Sequence, residues 1–393
     1  MSKRQYNPLS LKNKNILQVL PALVQGGVER GTLEIAQAIQ EAQGQAWIAS
    51  SSGPLVHQLS LIKARHIKLP LKTKNPFKIL CNIYRLCRLI RQEKIDLIHA
   101  RSRAPAWSAF WAARLTGIPF VTTFHGTYNF KNSLKKYYNS IMVRGDRVIA
   151  ISDYIYRHIL RNYQDYMTYC QIKIIPRGVD LKTFNLNSSN LTERIQKLKD
   201  DWQIEQDCPI ILLVGRLTRW KGQETALKAL GLLKNFSGHL VCLGSDQGRI
   251  HYLESLKSLA NTLNLSSRVH FISTCHDMPA AYAMADLVLH TSIDPEAFGR
   301  TIIEAQAMGK CVIATAHGAP LEIIQEGLTG YLIDPQDPQK LAQSIHHYFS
   351  LPYEEKEKLS QAAMVRTKTL FSKDQMIEKT LKVYQDLLQN SVP

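Results

Sequence analysis

The chain predicts two α/β domains in series, each a doubly wound parallel sheet. Short β-like runs alternate with amphipathic helical runs from end to end, the pattern of parallel strands joined by crossover helices. That alternation breaks once, between Asp180 and Asp207, where an Asn/Ser cluster and a polar helix read as a linker into a second domain. After the break a second βα series begins, and glycine-bearing loops follow several strands directly before helices.

In the first half the predicted strands are Asn15–Leu20, Ala46–Ser50, His66–Leu69, Leu97–Ala100, Phe120–Phe124, Arg147–Ile151 and Ile172–Ile175. Helical patterns occupy Val28–Ala42, Pro76–Gln92, Ala106–Leu115 and Asp153–Arg161. The second series has strands at Ile210–Val214, Leu240–Leu243, Arg268–Ile272, Leu287–His290, Val312–Ala314 and Gly330–Ile333. Its helices are expected at Lys221–Leu233, Ile250–Leu263, Pro279–Met284 and Thr301–Met308. Beyond Pro338 the tail is almost wholly helical and ends in an amphipathic run, Gln375–Gln389.

A chain of 393 residues, 45% hydrophobic and 21% charged, can bury ordinary globular cores. No apolar run reaches the ~20 residues of a membrane helix. The start is basic, but its apolar stretch is short and lacks a small-residue cleavage site, so a cytoplasmic protein is expected. The seven cysteines, Cys81, Cys87, Cys170, Cys208, Cys242, Cys275 and Cys311, form no C-x-x-C pair. They read as reduced thiols, with neither a zinc site nor a disulfide framework. Lys plus Arg exceed Asp plus Glu, 49 against 32, giving a net charge of +17. Such a surplus attracts polyanions, whether phosphorylated substrates, an anionic membrane surface or nucleic acid.

Ligands of doubly wound sheets bind at the carboxyl ends of the strands, which directs attention to the loops. The most specific element is D-P-E-A-F-G-R-T-I-I-E-A, in which seven residues separate Glu296 from Glu304. Carboxylates accept hydrogen bonds in pairs, and vicinal sugar hydroxyls donate them in pairs. The helix N-terminus between them offers free N–H groups to a phosphate. Glu304 sits beside the apolar stripe Ile302, Ile303, Ala305 and Met308, where an unpaired charge is costly and a ligand hydroxyl would relieve it. Arg216 leaves a strand end and Lys221 follows near a helix start; a guanidinium fork and an ammonium both suit a diphosphate. Trp220 reads as packing rather than as a base-stacking surface.

Other loops leave two readings open. Gln25-Gly26-Gly27-Val28-Glu29-Arg30 is either a tight strand-to-helix turn with its charges in solvent or a loop that lets a ligand approach the backbone. His125 closes a strand and precedes Gly126; it is either structural or a ligand contact. Gly244–Gly248 and Ser273–Met278 are either ordinary turns or the edge of a nucleotide pocket. The basic segments Lys63–Lys78 and Lys131–Lys136 are either solvated faces or membrane-surface elements.

Together the motifs G-G-V-E-R, T-F-H-G, I-P-R-G-V-D, G-R-L-x3-K-G and E-A-F-G-x4-E-A resemble glycosyltransferase family 4, the retaining nucleotide-sugar transferases of the GT-B fold. The resemblance covers roughly Asn15 to Leu370, and its flavour is that of lipopolysaccharide-core and cell-envelope transferases. It implies two facing Rossmann-like domains with a cleft between them, an acceptor domain at 1–185 and a donor domain at 186–372. A C-terminal helix at 373–393 would cross back onto the first. It also implies that Arg216 and Lys221 clamp the donor diphosphate and that Glu296 and the backbone of Ala297, Phe298 and Gly299 hold the transferred sugar. The N–H groups of Arg300 and Thr301 would face phosphate, and Glu304 the ribose. Gly26 and Gly27 would admit the phosphate and acceptor. Glu29 and His125 would meet the acceptor, with His125 near the reacting centre. The catalytic set is then His125, Arg216, Lys221 and Glu296.

No D-x-D occurs, so no metal or other cofactor is expected; the substrates are a nucleoside-diphosphate sugar and a glycan or glycolipid hydroxyl. The protein is expected in the cytoplasm, peripheral on the inner face of the membrane, with no nucleic-acid partner. Two other functions fit parts of the pattern. A sugar-nucleotide epimerase of the same architecture would change the sugar without moving it. A basic nucleic-acid-binding protein would bind in a salt-sensitive way, but the stacking aromatics of common RNA modules are missing.

Overall fold

The computed structural model describes residues 10–24, 26–167, 171–205 and 208–389. The basic start 1–9, Gln25, Cys170, Asp207 and the last residues of the terminal segment lie outside that set. The chain divides into two compact units, Met1–Pro176 with Asp374–Pro393, and Arg177–Lys373. The second unit begins at Arg177 rather than 186. The reason is that I-P-R-G-V-D is consumed at the junction. Val179 bridges Ser372, Asp180 ion-pairs with Lys373 at 2.5 Å, and a Cβ on Gly178 would lie 2.5 Å from the Lys373 Cα.

The first unit runs β1 (Asn15–Val19), α1 (Gly27–Glu41), β2 (Gln45–Ser50), α2 (Val56–Leu61), β3 (Arg65–Lys68), α3 (Pro76–Gln92) and β4 (Leu97–Ala100). It continues with α4 (Arg103–Thr116), β5 (Phe120–Phe124), α5 (Ser133–Ser140), β6 (Arg147–Ala150), α6 (Asp153–Tyr163) and β7 (Gln171–Ile174). The strands pair in the order β3-β2-β1-β4-β5-β6-β7, all parallel. Every strand therefore delivers its following loop to one edge of the sheet. Strand β1 is the topological switch point, since the order reverses beside it.

The second unit runs α7 (Leu191–Asp201), β8 (Ile210–Val214), α8 (Gln223–Leu232), β9 (His239–Leu243), α9 (Ile250–Thr262), β10 (Val269–Ile272), α10 (Met278–Met284) and β11 (Leu287–His290). Then come α11 (Arg300–Ala307), β12 (Cys311–Thr315), α12 (Pro320–Ile323), β13 (Tyr331–Ile333), α13 (Pro338–Ser350) and α14 (Tyr353–Leu370). Its sheet order is β10-β9-β8-β11-β12-β13, again parallel. The central strands read as continuous apolar runs because both faces are covered; Ile211, Leu213, Leu240, Cys242, Leu287, Leu289 and Ile313 meet in one core.

The last helix, α15 (Lys373–Gln389), belongs to the first unit. Its Met376, Leu381, Val383, Tyr384 and Leu387 pack with Ile16, Ile35, Ile48, Val121 and Ile175 in the first unit's core. Tyr384 is fully buried, and its hydroxyl lies 2.6 Å from His99 Nδ1; His99 Nε2 lies 2.7 Å from Thr123 Oγ1. Burial, then the nearby Arg101 and His125, hold the His99 pKa well below its ordinary value, so the ring is neutral. A neutral ring with both nitrogens bonded satisfies its polar atoms inside the core. Tyr384→Phe strands His99 Nδ1. It is expected to lower unfolding stability by about 1–3 kcal/mol, measured as a lower urea midpoint with unchanged slope.

Candidate active site

Strands β8 and β11 are neighbours, so their loops leave the sheet side by side. Two glycines let these loops close on what surrounds them. Gly222, at φ +71°, ends the short 3-10 turn Arg219–Lys221, and a Cβ there would lie 2.0 Å from the Thr291 carbonyl oxygen. Gly244, at φ +157°, approaches the backbone of Gly215 in the same way, at 2.2 Å. The Thr291 hydroxyl donates toward the carbonyls of Lys221 and Gly222, 3.0 Å from each. The turn is thereby fastened to the end of β11, and Lys221 is aimed across it.

There Lys221 Nζ forms an ion pair with Glu296 Oε2 and lies 3.3 Å from Ser292 Oγ. His290 Nε2 is 3.3 Å from the same carboxylate oxygen, outside the alignment of a good hydrogen bond. Burial alone would raise the Glu296 pKa. The adjacent His290 and the Lys221 charge outweigh it and hold the carboxyl far below the ordinary range. Burial lowers the His290 pKa, so that ring is neutral at physiological pH. Glu296 itself is placed by β12's exit loop. Its N–H donates to the His317 carbonyl at 3.1 Å, and its carbonyl accepts from Ala319 N–H at 2.9 Å. Gly318, at φ +88°, has no room for a side chain, since a Cβ would meet the Glu296 carbonyl oxygen at 2.4 Å.

Helix α11 starts at Arg300 behind Gly299, which has φ +94°, and no side chain caps it. Phe298 is buried edge-on to Phe371, with ring centroids 5.9 Å apart, and this sets the angle at which the chain enters the helix. Ala297 and Thr301 are half-buried beside it. Glu304 is buried on the next turn. Its carboxylate accepts from the Tyr282 hydroxyl at 3.1 Å and lies 3.5 Å from the Arg300 guanidinium. Contrary to the expectation that only a ligand hydroxyl would relieve this buried charge, Tyr282 and Arg300 already meet the cost of its burial.

Arg216 is exposed and within 3.5 Å of Gln247 Oε1. Trp220, expected only to pack, carries both cations on its ring, with Lys221 Nζ at 4.2 Å and the Arg216 guanidinium at 5.7 Å from the centroid. The two neighbouring loops have structural tasks. Ser245 accepts a backbone hydrogen bond from Leu217 at 3.1 Å. Asp277 caps α10 and pairs in bidentate fashion with Arg194, at 2.6 and 2.5 Å.

In the first unit, Gly26 and Gly27 stand at the start of α1, at the end of the switch-point loop. The Glu29 carboxylate folds back over Gly26, where a Cβ would come within 2.5 Å of Oε2. His125 follows β5 and is half-buried, beside Tyr128, whose ring carries the Arg103 guanidinium at 4.3 Å. These four residues share one edge of their own sheet. The structure thus gathers Arg216, Lys221, Glu296, the 297–301 turn and Glu304 at one edge of the second unit. Sequence reasoning missed His290, Ser292, His317, Gly318 and Tyr282. Gly318, before a Pro-led helix, carried a signal of the kind used elsewhere. His290 closes the predicted strand Leu287–His290, the same signal that singled out His125; the other three carried none.

Two units of doubly wound parallel sheet, with the cation-bearing loop after the first strand of the second and a carboxylate on each side of a later helix's start, define the GT-B class. Residues 25–183 match Glycosyltransferase Family 4, and residues 194–366 match Glycosyl transferases group 1; the chain belongs to these glycosyltransferases. A glycosyltransferase from Rickettsia africae ESF-5 is 38% identical with a TM-score of 0.89, covering 96% of this chain and 99% of that one. Anabaena HepE, solved in complex with UDP-glucose, shares the fold at 22% identity and a TM-score of 0.81, over 95% of this chain and 99% of its own. The D-inositol 3-phosphate glycosyltransferase of Corynebacterium jeikeium is 28% identical over 269 residues, 64% of this chain and 63% of that relative. The match to this last relative thus spans less than two thirds of its length.

Glu296→Gln leaves Lys221 without its counter-charge and is expected to lower stability by about 3–5 kcal/mol. The folded pKa of Glu296 is depressed, so the pair's contribution is complete above the ordinary value of 4.5 and is lost as the pH falls below it. Urea midpoints of the two proteins should differ by a constant amount from about pH 8 to 5 and converge only below that range.

Proposed function

We propose that the chain is a retaining, metal-independent glycosyltransferase that moves a hexosyl-type group from a nucleoside-diphosphate sugar to a hydroxyl of a glycan or glycolipid, in lipopolysaccharide-core or cell-envelope synthesis. The observation that carries the donor assignment is the Lys221–Glu296 pair beside the uncapped start of α11. Two groups that attract each other without a donor are the two a donor needs. The diphosphate takes the ammonium and a sugar hydroxyl takes the carboxylate. As the glycosidic bond breaks, charge grows on the leaving diphosphate, and Lys221, Arg216 and the N–H groups of Arg300 and Thr301 stabilise it. Glu304, with Tyr282 and Arg300 already fixing its rotamer, holds the ribose hydroxyls. Glu29 and His125 serve the acceptor. The UDP-glucose bound by HepE favours a nucleotide sugar over nucleic acid as ligand, and it makes a uridine donor the first to test.

Lys221→Ala and Glu304→Ala should each cut transfer of radiolabelled sugar at least tenfold, about 1.4 kcal/mol of transition-state stabilisation. Near-normal turnover in both removes this donor site. Label that changes sugar identity without reaching an acceptor marks an epimerase.

We also assign the acceptor's setting to an anionic membrane surface. Phe77, Leu80 and Tyr84 recur along one face of α3 and are 79%, 62% and 71% exposed. Lys72, Lys74, Lys78, Arg85, Arg88 and Arg91 are exposed around them. On α5 and the loop before it, Leu134 is exposed among Lys131 and Lys135. Apolar side chains flanked by cations suit insertion at the boundary between headgroups and acyl chains. Among the described residues no helix is long and apolar enough to cross a membrane. Replacing Phe77, Leu80 and Tyr84 together by serine should cut flotation with anionic vesicles at least tenfold while leaving hydrolysis of the donor unchanged. Equal flotation of variant and parent removes this surface.

A further inference from the structure

The amino edge of the second unit's sheet, opposite the candidate active site, holds a second cluster of reactive side chains. Glu205 and Cys208 lie on the segment between α7 and β8, and His239 opens β9. One carboxylate oxygen, the Cys208 Sγ and one His239 ring nitrogen all lie within 4.8 Å of one another. Glu205 is exposed, Cys208 half-buried and His239 buried.

One His239 ring nitrogen, Nδ1, is held inside the protein, 2.8 Å from His270 Nε2. A ligating histidine whose second nitrogen is anchored by a hydrogen-bonded partner is the usual arrangement around a protein-bound metal.

We propose that Glu205, Cys208 and His239 bind one zinc-type divalent ion, with His270 orienting the imidazole and water completing the coordination. A thiolate, an imidazole and a carboxylate make a mixed set suited to a borderline-soft ion at ~2.0–2.3 Å; magnesium and calcium demand oxygen ligands. Binding releases the Cys208 proton and draws the exposed Glu205 inward. The ion clips the α7–β8 segment to the first residue of β9. It stabilises the second unit and takes no part in transfer, so it is compatible with metal-free chemistry at the opposite edge.

The test uses the full chain after chelator treatment, titrated with Co2+ and then Zn2+. The parent and Cys81→Ser are expected to bind one equivalent of Co2+ with a thiolate-to-cobalt charge-transfer band that Zn2+ displaces. Cys208→Ser should lose the band, and Glu205→Gln should keep it with at least tenfold weaker affinity. Saturating Zn2+ should raise the melting temperature by about 3 °C or more in the parent but not in Cys208→Ser. Absence of saturable binding, binding without the thiolate band, or a band that survives Cys208→Ser overturns the proposal.

Discussion

An ammonium and a carboxylate withdrawn from water must find each other or be neutralised, and the contact between Lys221 and Glu296 is where this chain meets that demand. The two groups come from different strands. Holding them together fixes the loop after β8 against the loop after β11, and it explains the glycines on either side. Gly222 and Gly318 let backbone approach to distances no side chain would permit. The pair keeps Glu296 ionised although it is largely buried. The charged site is thus ordered before any ligand arrives, with the carboxylate and the ammonium already fixed at the sheet edge.

The first unit depends on a different device. Its sheet is completed in sequence by Ile174, yet its core closes only when α15 arrives from the far end of the chain. Tyr384 carries a hydroxyl into that core, and His99 and Thr123 accept the consequence by forming a line of hydrogen bonds. The second unit is thus an insertion between two parts of the first. The I-P-R-G-V-D segment marks the crossing, with Asp180 and Lys373 joining the outgoing and returning strands of chain.

Most of the fold was legible because it is a matter of period. Phe120–Phe124, Leu97–Ala100, Ile210–Val214 and Leu287–His290 are short apolar runs between helical patterns, and the structure has these strands with the same limits. Helices with weak or mixed patterns, such as α2 and α12, were passed over. The site was legible where residue type and loop position coincide, as at Arg216, Lys221, Glu296 and Glu304. Tyr282 was not legible: its neighbours along the chain are apolar, and its partner Glu304 is supplied by another element.

Sequence alone determined the repeated βα order, the break between the two series, the cationic loop and the paired glutamates, because these are set by near neighbours in the chain. Only the tertiary structure decided that Lys221 pairs with Glu296, that Glu304 has protein partners already, that α15 belongs to the first unit, and that Cys208 and His239 share a corner. Apart from the i,i+4 contact of Arg300 with Glu304, each of these joins residues from different elements of the chain. Such contacts arise when strands take their places in a sheet, and no local pattern encodes which loops then stand beside each other.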